Sequence, residues 1–159
     1  MSQSNHEYWM RQAVELARTG MTTNAGGPFG AIVVKDEKVV GRGHNSVTST
    51  NDPTSHAEVV AIREACRNLG TFQLDGCVLY TSCEPCPMCL GAIYWARPEK
   101  VYYACSRLDA AEAGFDDELI YREINMEPAE RRIPFEQCGS HEAQEVFREW
   151  ISKSDKTPY

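Results

Sequence analysis

With 159 residues, 42% hydrophobic and 25% charged, the chain has enough material for one buried core and the balance of a globular protein. No apolar run is long enough to span a bilayer, which argues against a membrane partner. A net charge of −7 and a pI near 5.1 argue against nucleic acid, because neutralisation of phosphates by basic side chains supplies much of that affinity.

In chain order, Glu7 to Thr19 carries Met10, Ala13, Val14, Leu16 and Ala17 on one face, which predicts a helix stopped by Gly20. A glycine-rich loop, Asn24 to Pro28, follows. Phe29 to Val34 and Lys38 to Gly43 are β-rich runs joined by the turn Asp36-Glu37, a hairpin pattern. Asn45 to Pro53 is a polar loop. Ser55 opens a helix to about Asn68, with Leu69-Gly70 as its stop. Cys77 to Thr81 is an apolar strand. Cys86 to Trp95 is a helix ended by Arg97-Pro98, and Val101 to Cys105 another strand. Asp109 to Ala113 and Glu118 to Arg122 form short helices, Ile133 to Cys138 a last strand, and Ser140 caps a final helix with Val146, Phe147, Trp150 and Ile151 on one face. There is no repeat or linker, so the expectation is a single domain over 1–159. The alternation predicts an α/β fold, a three-layer α/β/α sandwich around a mixed five-stranded sheet.

The chemistry concentrates in His56-Ala57-Glu58 and Pro85-Cys86-Pro87-Met88-Cys89. One imidazole and two thiolates make three ligands, which leaves a fourth tetrahedral position open, as in catalytic zinc sites. A C-x-x-C pair alone also fits a redox dithiol or half of a structural zinc site. The histidine upstream, at the start of another helix, favours a shared metal, because two helix N-termini can face one ion and stabilise thiolates. Cys83 is the rival ligand. Glu58 has a competing reading in the capping box Ser55-x-x-Glu58; beside a three-ligand metal it becomes the candidate proton carrier. The spacing H-x-E…P-C-x-x-C matches the signature of zinc deaminases. Seven cysteines, an odd count, and an N-terminus with no basic segment followed by an apolar one are read as reduced thiols in a cytoplasmic protein.

Further segments narrow the match. Gly26-Gly27-Pro28-Phe29-Gly30-Ala31, Asn51 to Glu58, Cys83 to Pro98, Ala113-Gly114-Phe115-Asp116-Asp117 and the terminal Tyr159 together resemble bacterial guanine deaminases of the cytidine deaminase-like fold. The resemblance implies one zinc ion per chain on His56, Cys86 and Cys89, with Glu58 as the proton shuttle. It also implies a purine base among Phe29, Asn45, Ala57, Trp95, Asp117 and Tyr159. Asn45 offers a donor and an acceptor, and ionised Asp117 accepts from N–H donors of guanine; Asp116 could take its place. The implied reaction is hydrolysis of guanine to xanthine and ammonia, by a homodimer in which the C-terminal segment is exchanged. Two other readings stay open. One is deamination of another substrate, such as guanosine, cytosine or tRNA adenosine. The other is a non-catalytic zinc or thiol module.

Overall fold

The computed structural model describes residues 3–159 and divides into two compact units, one ending at Asp117 and the other Glu118–Tyr159.

The first unit is built on β1 (Gly30–Lys35), whose inward and outward faces are both buried. Asp36 and Glu37 both take left-handed backbone, φ 48° and 58°, as a two-residue hairpin turn matched to strand twist requires. They return the chain as β2 (Lys38–His44), antiparallel to β1. On its other edge β1 pairs antiparallel with β3 (Cys77–Cys83), and β3 pairs in parallel with β4 (Lys100–Cys105), giving the order β2-β1-β3-β4. The sheet is mixed, as expected, but has four strands where the sequence predicts five. The missing strand is Ile133 to Cys138, which lies in the second unit as irregular chain. Ile133 and Phe135 alternate as strand residues would, but Pro134 has no N–H for a ladder, and Phe135 instead stacks under the Arg131 guanidinium at 5.0 Å.

Helix α1 (Gln3–Thr22) covers one face of the sheet, with Trp9 and Ala13 against Ile32, Val34, Val78 and Tyr80. It runs past Gly20, the predicted stop. A β-carbon at Gly20 would stand 2.9 Å from the His44 side chain, so this glycine serves a close approach rather than a helix end. On loop Asn45 to Pro53 the chain forms a single-turn helix, α2 (Val47–Thr50), where only loop was expected.

The opposite face carries α3 (Ala57–Leu69) and α4 (Pro87–Ala96). These bury Ala57, Ala61, Ala65, Ile93 and Ala96 against Ala31, Val33, Cys77 and Leu79. The unit is therefore a three-layer α/β/α sandwich. Helix α3 ends where predicted, with Gly70 as a left-handed cap at φ 65°. Arg97 caps α4 the same way, and Pro98 prevents its continuation. Beyond β4 lies α5 (Arg107–Glu112), opened by a capping box between Ser106 and Asp109.

The second unit holds α6 (Glu118–Glu123), a 3-10 turn at Pro128–Glu130 and α7 (Ser140–Ser152). Gly139, not Ser140, is the N-cap of α7. Arg131 donates to the carbonyl of Glu123 at 3.2 Å, tying the loop to the end of α6. The predicted apolar face of α7 is present, yet Val146, Phe147 and Ile151 are largely exposed.

Small residues set how closely α3 lies on the sheet. A β-carbon on Gly41 or Gly43 would meet the carbonyl oxygens of Ala61 and Ala57, each at 2.3 Å. Gly43→Ala must therefore push the first turn of α3 outward. We expect a loss of about 1–3 kcal/mol in denaturant unfolding, the usual cost of overpacking, together with weaker zinc retention, because His56 and Glu58 ride on that turn.

Candidate active site

Two helix starts build the site. His56 is the N-cap of α3 and Cys86 the N-cap of α4, both in extended backbone, with Pro87 at the first helical position of α4. The chain is led into His56 by Asp52, whose carboxylate accepts from the Thr54 amide at 2.8 Å and the Ser55 hydroxyl at 2.9 Å. The Thr54 hydroxyl, donating to the same carboxylate at 2.7 Å, and then those two contacts hold its carboxyl below the usual carboxylate range. Ser55 is thus committed to Asp52 and is not the helix cap, so the capping-box reading of Glu58 does not hold.

The side chains of His56, Cys86 and Cys89 converge, with one ligand atom from each lying within 4.8 Å of the others. His56 Nδ1 sits 3.4 Å from Cys86 Sγ and 3.5 Å from Cys89 Sγ. Glu58, at the second position of α3 and 6% exposed, aims into the same cluster. Its Oε1 accepts from Thr81 Oγ1 at 3.1 Å and its Oε2 from Cys89 Sγ at 3.4 Å. Cys83, the rival ligand, is elsewhere: its thiol donates to the Ser106 carbonyl at 3.6 Å, and burial pushes it up to about 11.

The electrostatics follow from crowding. A hydrogen bond from Cys89, helped by the His56 imidazole, pulls the Cys86 thiol down to about 4. Cys89 moves the other way, first because it donates to Cys86 and then because it is buried. Burial raises Glu58, and the hydrogen bond to Cys86 raises His56. Without a cation the two thiols share one negative charge. Ionising both beside Glu58 calls for a positive ion among them, and the donor set of one imidazole nitrogen and two sulfurs is one that zinc takes. The residues present therefore fit zinc.

The residues expected to meet a base have the following settings. Phe29 is half-buried and packs edge-to-face with Phe115, centroids 4.9 Å apart. The sequence did not single out Phe115 as a site residue; its place beside Phe29 depends on the turn at Gly114, where φ is 93°. Asn45 is buried, and its Oδ1 accepts from the Gly27 and Val47 amides, each at 3.2 Å. The expectation that Asn45 offers both donor and acceptor is thus corrected: the oxygen is spent on the loop, and only the Nδ2 donors remain. Ala57 points its methyl into the core, so only its backbone amide is available. Asp117 is half-buried and raised by burial first and then by the Cys86 charge, whereas Asp116 is exposed. Trp95, on α4, is 63% exposed, which excludes core packing as its role. Tyr159 lies in the second unit and is 72% exposed. Thr81 was read only as strand; nothing in its local sequence shows that it faces Glu58.

Residues 3–105 match the zinc-binding region of cytidine and deoxycytidylate deaminases. The chain belongs to this family of zinc-binding deaminases. Within it, the chain is 56% identical over 155 residues to guanine deaminase of Bacillus subtilis (strain 168), covering 98% of this chain and 99% of that one. The crystal structure of guanine deaminase from Bacillus subtilis superposes with a TM-score of 0.94 at 54% identity, covering 100% of this chain and 99% of the other. A tRNA-specific adenosine deaminase of Aquifex aeolicus (strain VF5) is 37% identical over 147 residues, 92% of this chain and 94% of the relative.

The ligand set is testable by metal content. Purified protein should carry about one zinc per chain by atomic absorption. Cys86→Ser and Cys89→Ser should each lose most of it, while Cys83→Ser should keep it; zinc loss from the last variant would mean that Cys83 is a ligand.

Proposed function

We propose that this chain is a zinc-dependent guanine deaminase, a hydrolase that converts guanine and water to xanthine and ammonia by cleaving the C–N bond of a cyclic amidine. The observation that carries this reading is the buried Glu58 carboxyl beside His56, Cys86 and Cys89, in a chain alike end to end to the Bacillus subtilis guanine deaminase. The whole of 1–159 then acts as one deaminase domain. Zinc held by His56, Cys86 and Cys89 supplies a Lewis acid that lowers the pKa of water toward ~7.

The chain's own residues do the rest. Glu58 takes a proton from the attacking water, delivers it to the ring nitrogen beside C2, and then assists departure of the 2-amino group as ammonia. Its burial supports this role, since shielding from water raises the carboxyl above its usual range and makes it a better proton acceptor. Asn45 donates through Nδ2 to acceptor atoms of the purine. Asp117 accepts from N1–H and the 2-amino group. Its half-burial favours it over exposed Asp116. Phe29 and Trp95 contact the flat ring, the Ala57 amide borders it, and Tyr159 closes over it. A free base rather than tRNA is the substrate because the chain carries a net charge of −7.

The working form is a homodimer with an exchanged C-terminal segment. Helix α4 is apolar all round, leaving Leu90, Tyr94 and Trp95 exposed, and α7 exposes Val146, Phe147 and Ile151. Apolar faces of this kind are what a second copy would bury. Among the described residues no helix is long and apolar enough to cross a membrane. All seven cysteines are free, which supports a reducing, cytoplasmic setting.

Turnover of guanine, guanosine, cytosine, adenine and a tRNA anticodon stem tests the substrate. Guanine should be the preferred substrate, and a zinc-loaded protein that leaves guanine intact would refute the proposal. Glu58→Gln should keep its zinc and lose about a hundredfold or more in kcat; full turnover by that variant would remove Glu58 from proton transfer.

Deleting Pro158 and Tyr159 should leave zinc content and melting temperature intact while lowering kcat/KM for guanine about tenfold or more, roughly 1.4 kcal/mol of transition-state stabilisation. An unchanged kcat and KM in the truncated protein would show that the tail has no part in closure.

A further inference from the structure

Thr81 has no solvent exposure and lies on β3, beneath the cluster. Its hydroxyl has two neighbours at equal distance: Glu58 Oε1 at 3.1 Å and the Cys83 carbonyl oxygen at 3.1 Å. A hydroxyl carries one hydrogen and can also accept. It therefore donates to one of these oxygens at a time. When it donates to Cys83, the hydrogen between Oγ1 and Oε1 must come from the carboxyl.

A strand hydroxyl bonded only to a carbonyl two residues on would merely satisfy a backbone acceptor. The second partner makes the difference here. Glu58 Oε2 faces Cys89 Sγ at 3.4 Å, a thiol that gives up its hydrogen as a zinc ligand, so the grip that remains once the metal is bound is the Thr81 hydroxyl on β3. Glu58 itself stands on α3. A carboxyl gripped in this way is held in one rotamer relative to the ligands. A hydroxyl can donate to a carboxylate or accept from a carboxylic acid without moving its oxygen, so the grip survives whichever group holds the hydrogen.

We propose that Thr81 is a positioning residue for proton transfer, its hydroxyl holding the Glu58 carboxyl in register with the metal ligands. The inference rests on the deaminase reading, with Glu58 as proton carrier. It goes beyond that reading by placing part of the catalytic geometry in a strand residue outside the zinc-binding signature. Val at this position keeps the shape and removes the hydroxyl, whereas Ser keeps the hydroxyl.

The test compares Thr81→Val, Thr81→Ser and Glu58→Gln, singly and combined, with zinc-loaded wild type. Thr81→Val should lower kcat for guanine about tenfold to a hundredfold, the cost of a lost hydrogen bond to a charged group. KM and zinc content should stay near wild type. Thr81→Ser should restore most of kcat. In the Glu58→Gln background Thr81→Val should cost almost nothing more, because the group it positions is gone. Thr81→Ala carries the same comparison if the valine variant does not fold. Full kcat in Thr81→Val, equal losses in the serine and valine variants, or a loss that persists undiminished in the Glu58→Gln background would each overturn the proposal. Wild type that leaves guanine intact would refute the substrate reading instead. Crystal structures then decide the Thr81 question alone: the Glu58 carboxyl should turn away from its present place in Thr81→Val and keep it in Thr81→Ser, and an unmoved carboxyl in Thr81→Val would refute the positioning role.

Discussion

The structure of the first unit depends on one electrostatic constraint: two thiols and a carboxyl that would repel one another if ionised are packed together with one imidazole in a largely buried place. Cys86 settles as the thiolate, Cys89 donates to it, and Glu58 is driven toward its neutral form by burial. Such a cluster is costly to leave without a cation and favourable once one is present. The positive ends of α3 and α4 relieve part of the cost, because His56 and Cys86 sit at their N-caps.

Holding those helix ends in place is the task of the sheet. Helix α3 lies against β2 through Gly41, Gly43, Ala57, Ala61 and Ala65, where no bulky side chain could be accommodated. Helix α4 follows β3 directly, and its first turn is tethered by Glu84, whose amide donates to the Cys105 carbonyl at 2.8 Å and whose carboxylate accepts from the Arg107 amide at 3.0 Å. The ligands are thus carried on regular elements, and the carboxyl beside them is held from a third, β3. The loops contribute the more adaptable part. Asn45 spends its oxygen on Gly27 and Val47, which shapes the loop while leaving its amide nitrogen available. Gly26 permits this, since a β-carbon there would stand 2.2 Å from that same oxygen.

Helices α4 and α7 leave apolar side chains exposed in the single chain. Tyr94 is 76% exposed on a helix with no charged side chain, the kind of surface that chains cover by association.

The metal ligands and most of the order of elements are legible in the residue pattern. Ligand residues sit at helix starts announced by local signals: the spacing of His56 and Glu58, proline at the first turn of α4, glycine or proline at the helix ends. Runs of β-forming and apolar residues bounded by turns likewise located the four strands that form. The rest was decided by side-chain contacts that appear only in the folded chain, some between near neighbours and some between residues far apart. Gly20 reads as a helix stop until His44 is seen against it. Ile133 to Cys138 reads as a strand until Pro134 and the Arg131–Phe135 contact are considered. Ser55 reads as a cap until Asp52 claims its hydroxyl. Thr81, one apolar-strand residue among several, meets Glu58 across 23 positions of sequence, and no local pattern encodes that hydrogen bond.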